Sequence, residues 1–386
     1  MRRVQLRRWM TPLCGLLLAA GCASQAAAPS TPAPTPAGDT VSAAPTGGST
    51  ALPTSDCAPV NGAQFLCGVV NIEQLTRVEG TRWAVGSSAA GGAVPLAPLY
   101  FLDLDAKQAT PLDPTTVSLA EDKAAYPGCR PGPPDFGNLQ SLGVTAATID
   151  GRNSLVVVSH GGGFTIQVFD MDLSGALPAL TWRGCVLPPD EHFWPDATAV
   201  LPDGGMLITS LFDPKDAEFV AALKSGAPYG KLGEWHADSG WKEVYPGTLS
   251  GPNGVILSQD GNTIYVANWS GRRVSRIDRR TGETTTADLP MLVDNLAWNE
   301  DGTAILAGGQ ADTIDNGFAC SGGDAVNCSL PFAVYQLDPT TLATKPILER
   351  TVLGVMGAGT GALQHGDTLW LTSYRSDRLA RIAYPT

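Results

Sequence analysis

The chain has 386 residues, 43% hydrophobic and 16% charged, with a formal net charge of −12. An acidic chain without a basic run is a poor partner for nucleic acid or for an anionic lipid surface, and it suits the collection of cations. Beyond the N-terminus, no segment is long and apolar enough to read as a membrane-spanning helix.

The first 22 residues have the make-up of an export signal. Arg2, Arg3, Arg7 and Arg8 form a basic n-region, and Leu13 to Gly21 form a short apolar h-region. The segment ends in Leu18-Ala-Ala-Gly-Cys22, which resembles a bacterial lipobox with Cys22 as the lipidated first residue. An ordinary cleaved secretory signal is the alternative. Residues 23–56 are rich in Ala, Pro, Ser, Thr and Gly, and bury too little apolar surface to offset their ordering entropy. They are expected to be a disordered tether. The expected product is an exported lipoprotein, periplasmic or at the cell surface, that touches the membrane only through its lipid. Without the four leader arginines the net charge moves from −12 to −16.

Residues 57–386 remain for the folded domain, long for one ordinary core but natural for a closed ring of sheets. Its six cysteines, Cys57, Cys67, Cys129, Cys185, Cys320 and Cys328, match no zinc-finger spacing, and export places them in an oxidising compartment. Structural disulfides Cys57–Cys67, Cys129–Cys185 and Cys320–Cys328 are expected.

Strand-like apolar runs recur along this domain in six pairs, from Trp83-Ala-Val and Leu99-Tyr-Phe-Leu-Asp to Thr368-Leu-Trp-Leu and Leu379-Ala-Arg-Ile-Ala, about 57 residues apart. Helical periodicity is nearly absent. The pattern predicts an all-β fold, a six-bladed β-propeller. Two long connections, residues 210–231 and 308–331, fall where they would rim one mouth of its channel. The first contains Asp213-Pro-Lys-Asp-Ala-Glu-Phe-Val-Ala-Ala-Leu-Lys224, which predicts a capped helix with Pro in its first turn.

Three segments repeat one pattern of polar residue, apolar run and Asp-Gly turn. In them Asp196 precedes Asp203-Gly204, Asn253 precedes Asp260-Gly261, and Asp294 precedes Asp301-Gly302, each by the same spacing. Asp-Gly between apolar runs is a strong hairpin signal. Used as a ruler, the turn assigns Glu73 to the same place in blade one, Gly143 in blade two and Ala358 in blade six. Four of six blades then aim a carboxylate or amide oxygen at the axis. Such residues can also cap turns. In register, three carboxylates repel unless a cation sits among them, and all-oxygen ligation suits a hard ion, calcium above other divalent cations. The four histidines show no zinc spacing.

The segment Gly251-Pro-Asn-Gly-Val-Ile-Leu-Ser-Gln-Asp-Gly-Asn-Thr-Ile-Tyr-Val-Ala-Asn268 resembles the signature of the gluconolactonase, paraoxonase and strictosidine-synthase-like six-bladed propellers. Leu292-Val-Asp-Asn-Leu296, Asn71-Ile-Glu-Gln-Leu75 and Leu155-Val-Val-Val-Ser-His160 resemble the paraoxonase branch. The resemblance covers roughly residues 65 to 384 and implies a catalytic calcium held by Glu73, Asp196, Asn253, Asp294 and Asn295. Gln74 and Ala197 stand where that branch has the carboxylates of a second, structural calcium, so one ion is expected. Leu142 stands where it has a second active-site histidine, partner to the one matching His160.

The implied activity is hydrolysis of a small-molecule lactone or ester by a monomeric, calcium-dependent enzyme. The cation polarises the carbonyl, and Asp294 or Glu73 activates water, with His160 as second choice for the base. His160 could equally be a polar mouth residue. Leu142, Trp269 and Tyr374 are the expected substrate-pocket residues, the last two alternatively plain surface. The rival readings are a non-catalytic cell-surface binding propeller with a structural cation and a metal-independent relative of strictosidine synthase. The retained Glu73 and Asp294-Asn295 count against the latter.

Overall fold

A computed structural model of the chain describes residues 56–92, 96–130 and 132–385. The expected signal, Cys22 and nearly all of the expected tether lie outside the described residues. Among the described residues no helix is long and apolar enough to cross a membrane.

The described strands form six sheets. Each expected pair of apolar runs is the second and third strand of one blade. Blade three runs through Pro195–Val200, Met206–Ser210, Lys231–His236 and Gly240–Val244, and blade five through Leu292–Trp298, Ile305–Gln310, Phe332–Leu337 and Thr344–Thr351. Blade two carries a fifth strand, Ser118–Leu119, parallel to its outermost strand Ala179–Val186. The second strands read as unbroken apolar runs because neighbouring blades cover both of their faces. Every residue of Met206–Ser210 and Ile305–Gln310 is buried, whereas the outermost Thr284–Asp288 and Thr344–Thr351 are largely open to solvent. The core is a set of inter-blade clusters, one of them joining Trp83 and Phe101 of blade one to Phe169 and Trp182 of blade two and Met206 of blade three. Each such side chain contributes about 1.5–3 kcal/mol on burial.

The ring closes by antiparallel pairing of Gln64–Cys67 with Arg378–Ala383, so the N-terminal strand is the outermost strand of blade six. Closure ties the two ends of the domain into one sheet, and the ring leaves only the short outer edge of each blade unpaired. The three disulfides join the expected pairs: Cys57–Cys67 beside the closing strand, Cys129–Cys185 on blade two, and Cys320–Cys328 in the long connection of blade five. This is the chemistry of an oxidising compartment.

The two long connections carry helices, with one correction to the expected helix. Only Phe219–Lys224 is helical, here α1. The stretch before it is turned instead, because Asp213 accepts from the Lys215 N–H (2.8 Å) and Asp216 from the Glu218 N–H (2.9 Å). These local bonds compete with the helix ladder. A second helix, α2 (Ile314–Gly322), was not expected, and Thr313 caps it by accepting from the Asn316 N–H.

Candidate functional site

The inner strands of blades two to six each carry a β-bulge at the same register, between Ser141 and Val144, Pro195 and Thr198, Pro252 and Val255, Val293 and Leu296, and Gly359 and Ala362. A bulge leaves unpaired residues and re-aims their side chains. The first bulge residues are Leu142, Asp196, Asn253, Asp294 and Thr360, and Glu73 stands just ahead of blade one's inner strand Leu75–Arg77. The assignment of Gly143 and Ala358 is therefore corrected to Leu142 and Thr360. In blade three the loop between the paired Val200 and Met206 is long, whereas Ile149 pairs with Arg152 and His365 with Thr368, leaving two-residue turns. The length paired between bulge and turn differs as well, Val144–Ile149 in blade two and Ala362–His365 in blade six against Thr198–Val200 in blade three, so the ruler slips in opposite directions in the two blades. The second bulge position is small where inner strands crowd together: a Cβ on Gly143 would lie 2.3 Å from the Asp196 carbonyl oxygen, and one on Gly254 2.7 Å from that of Asp294.

Four of these first residues, Leu142, Asp196, Asn253 and Asp294, line one cavity of about 350 Å³ together with Glu73 and His160. Trp269 and Tyr374 line it as well. Each of the three carboxylates is at most 5% exposed. Burial, and then the charges of Asp294 and Asp196, push the Glu73 carboxyl well above the ordinary range. Burial and Asp294 raise Asp196 likewise. Burial raises Asp294 to about 7, against hydrogen bonds that lower it. The Glu73 Oε2 and Asn253 Oδ1 atoms are buried without a hydrogen-bond partner. Carboxylate and amide oxygens are the donors a hard cation takes, and these two are free to serve. Among the described residues, however, no group of three or more His, Cys, Asp and Glu side chains is gathered as ligands of one ion.

Asn295, which the resemblance assigns to the ion, lies behind the floor. Its amide donates to Glu73 Oε1 and faces Asp294 Oδ1 at 3.3 Å, so it braces the two carboxylates. Thr360 donates to the Glu73 carbonyl. Gln74, where a second ion's carboxylate would stand, accepts from the Val144 N–H at 2.8 Å, and Ala197 offers no oxygen. His160 Nε2 lies 2.7 Å from the Pro195 carbonyl, so that nitrogen carries the proton and Nδ1 keeps the lone pair. Burial lowers its pKa to about 4. Tyr374 donates to the Gly317 carbonyl of α2 at 3.0 Å, and burial followed by the Asp294 charge raises its hydroxyl.

Sequence reasoning found the two ends of the wall, His160 and Trp269, and missed the rings between them. His160 meets Trp194 (ring centroids 4.6 Å), Trp194 meets Phe212 (4.8 Å), and Phe212 meets Phe219 (4.5 Å). Phe219 of α1 meets Phe318 of α2, which meets Trp269, both at 5.7 Å. An arc of rings thus bounds the cavity along blades two to five. Trp194, two residues before Asp196, was the available signal; Phe318 had none, because its helix was not expected. Gln310 was also missed. Wholly buried at the end of Ile305–Gln310, it donates to Asp294 Oδ2 at 2.6 Å.

These features define a six-bladed propeller with an acidic, aromatic-walled cavity at one end of its channel. No family model and no curated protein matches the chain. Among solved structures it is similar to a gluconolactonase from Xanthomonas campestris, with 15% identity and a TM-score of 0.50 over 84% of this chain and 89% of that one. It is also similar to virginiamycin B lyase from Staphylococcus aureus (12%, 0.47, 83% and 98%) and to a luciferin-regenerating enzyme (14%, 0.47, 82% and 92%). At these identities the propeller fold is what is shared, and a fold hosts many functions.

Proposed function

We propose that the chain is a calcium-dependent hydrolase of lactones or esters, with Glu73, Asp196, Asn253 and Asp294 holding one ion at the cavity floor. The observation that carries this reading is the floor itself: Asp196, Asn253 and Asp294 on equivalent bulges and Glu73 just ahead of blade one's inner strand, all buried, with Glu73 Oε2 and Asn253 Oδ1 unpartnered. When bound, the ion supplies a Lewis acid for the carbonyl of the substrate.

The chain's own residues do the rest. The aromatic arc excludes water and holds an apolar or aryl group of the substrate, while a polyhydroxylated lactone would find few hydroxyl partners along it. Asp294, or Glu73, accepts the proton of the attacking water. Asn295 and Gln310 keep these carboxylates in place. Neutral His160 offers Nδ1 as an alternative acceptor at the cavity edge.

Hydrolysis of a panel of lactones and aryl esters, with and without a calcium chelator, tests the reading. Turnover of aryl substrates that chelation abolishes and calcium restores is the expected result. Turnover indifferent to chelation would remove the ion from the mechanism. Bound calcium with no hydrolysis across the panel would instead favour a non-catalytic binding propeller.

A further inference from the structure

Five of the six second strands close on a polar residue, and in four blades that residue has a common task. Ser159 Oγ donates to the Leu139 carbonyl (2.7 Å) and Ser373 Oγ to that of Gly357 (2.6 Å). Ser210 Oγ accepts from the Trp194 N–H (2.8 Å), and Asn268 Oδ1 accepts from that of Ser250 (2.9 Å). In each case a buried side chain pins the backbone that leads into its own blade's inner strand. Blade five departs from this pattern. Its closing residue is Gln310, opposite Leu292, and the longer side chain leaves the lead-in and reaches across to the cavity floor.

All of the Gln310 amide is used. Nε2 donates to Asp294 Oδ2 (2.6 Å) and to the Gly359 carbonyl (2.9 Å), and Oε1 accepts from the Trp269 indole Nε1–H (2.7 Å). An indole can only donate, and a carbonyl or an ionised carboxylate can only accept, so Trp269 on one side and Gly359 and Asp294 on the other agree on one orientation of the amide, Oε1 towards blade four and the NH₂ towards Asp294. The carboxylate is thereby held through one oxygen, with the other left on the Asn295 side.

We propose that Gln310 is the positioning residue for the Asp294 carboxylate, and that Trp269, besides forming part of the wall, anchors the Oε1 end of Gln310. Its functional consequence rests on the hydrolase reading above; its geometric content does not. Groups behind a ligand fix its direction, and losing one typically lowers metal affinity or activity about 10–100-fold.

The test uses three variants of the whole chain: Trp269→Phe, which keeps an aromatic ring while losing the N–H and the smaller half of the indole, Gln310→Met, and the two combined. Calorimetric titration with calcium should show each single variant binding roughly 10–100-fold more weakly. The double variant should match Gln310→Met within about twofold, because the two residues act through one path and their effects do not add. Additive losses, or a Gln310→Met protein that binds calcium like the wild type, would overturn the proposal. If the wild type takes no calcium, the hydrolase reading fails, and crystal structures of the wild type and Trp269→Phe decide the positioning claim. A turned Asp294 carboxylate in the variant supports it; an unmoved carboxylate still on the Gln310 amide refutes it.

Discussion

Asp294 and His160 line the same cavity, and burial affects them in opposite senses. Burial raises the carboxyl to about 7 and lowers the imidazole to about 4, since in each it disfavours the charged form. On the proposed reading Asp294 both holds the ion and takes the proton, so Asp294→Asn should lower turnover of an aryl ester by roughly 10²–10⁴-fold. His160 is already neutral at neutral pH, so its charge never changes across the working range. An inflection near 7 in the pH–rate profile would then belong to Asp294, and His160→Ala should leave a measurable rate with an unchanged profile. An inflection near 6.5 that vanishes in His160→Ala would return the base role to the imidazole. The same floor bears on stoichiometry. With Gln74 Oε1 spent on the Val144 N–H and Ala197 apolar, elemental analysis of calcium-saturated protein should find one tightly held ion per chain, and two would contradict the reading.

The hairpins show what the sequence makes legible and what it does not. Asp203-Gly204, Asp260-Gly261 and Asp301-Gly302 occupy equivalent loops, so counting back from them reaches Asp196, Asn253 and Asp294 correctly. Asp150-Gly151 looks the same in sequence but forms a two-residue turn, with φ of 49° and 76°, and the count slips by one. Turn length is set by pairing across the hairpin, which the dipeptide alone does not encode. The helix α2 was illegible for a different reason: Ile314–Gly322 is short and rich in Gly, Asn and Ser, and its order comes from packing and from the Thr313 cap rather than from propensity. Gln310 reads as an ordinary strand end, because its role depends on partners in blades four and six. Cysteine pairing, by contrast, followed sequence proximity in all three cases. The bridges close chains of very different length, a separation of 56 for Cys129–Cys185 against 10 for Cys57–Cys67. By the loop-entropy relation, removing the first by a Cys129→Ser, Cys185→Ser double substitution should cost about 4 kcal/mol and removing the second about 3 kcal/mol. Urea melts of both variants check this; a closing-strand variant that loses more than the blade-two variant would show that the ring's closure, rather than chain entropy, dominates.

A propeller concentrates the inner ends of six sheets on one axis, and here that geometry forces three carboxylates into one buried volume. The molecule has two ways to relieve their repulsion, a proton or a cation, and the two respond to pH in opposite senses. For the metal-free protein, Glu73, Asp196 and Asp294 all have raised folded-state pKa values, with Asp294 at about 7 against 3.8 in an unfolded chain. Between roughly pH 4 and pH 7 the unfolded chain has released protons that the folded state retains, so stability is fully present below the unfolded value and is lost as pH rises through the folded one. A bound cation reverses this, because its ligands must be deprotonated and its affinity therefore rises with pH. A ligand that binds only the folded state adds about 2.7 kcal/mol at a hundredfold excess over its Kd. Thermal melts from pH 4.5 to 7.5 should then diverge: the Tm of metal-free protein declines, the Tm with excess calcium holds or rises, and the gap between them widens steadily. Groups elsewhere titrate equally in both samples and cancel from that gap. An Asp294→Asn, Glu73→Gln double variant, with two of the three charges gone, should show a shallower metal-free decline and little response to calcium. Parallel Tm curves for the wild type with and without calcium would mean that protons alone settle the repulsion, and that the floor is not an ion site.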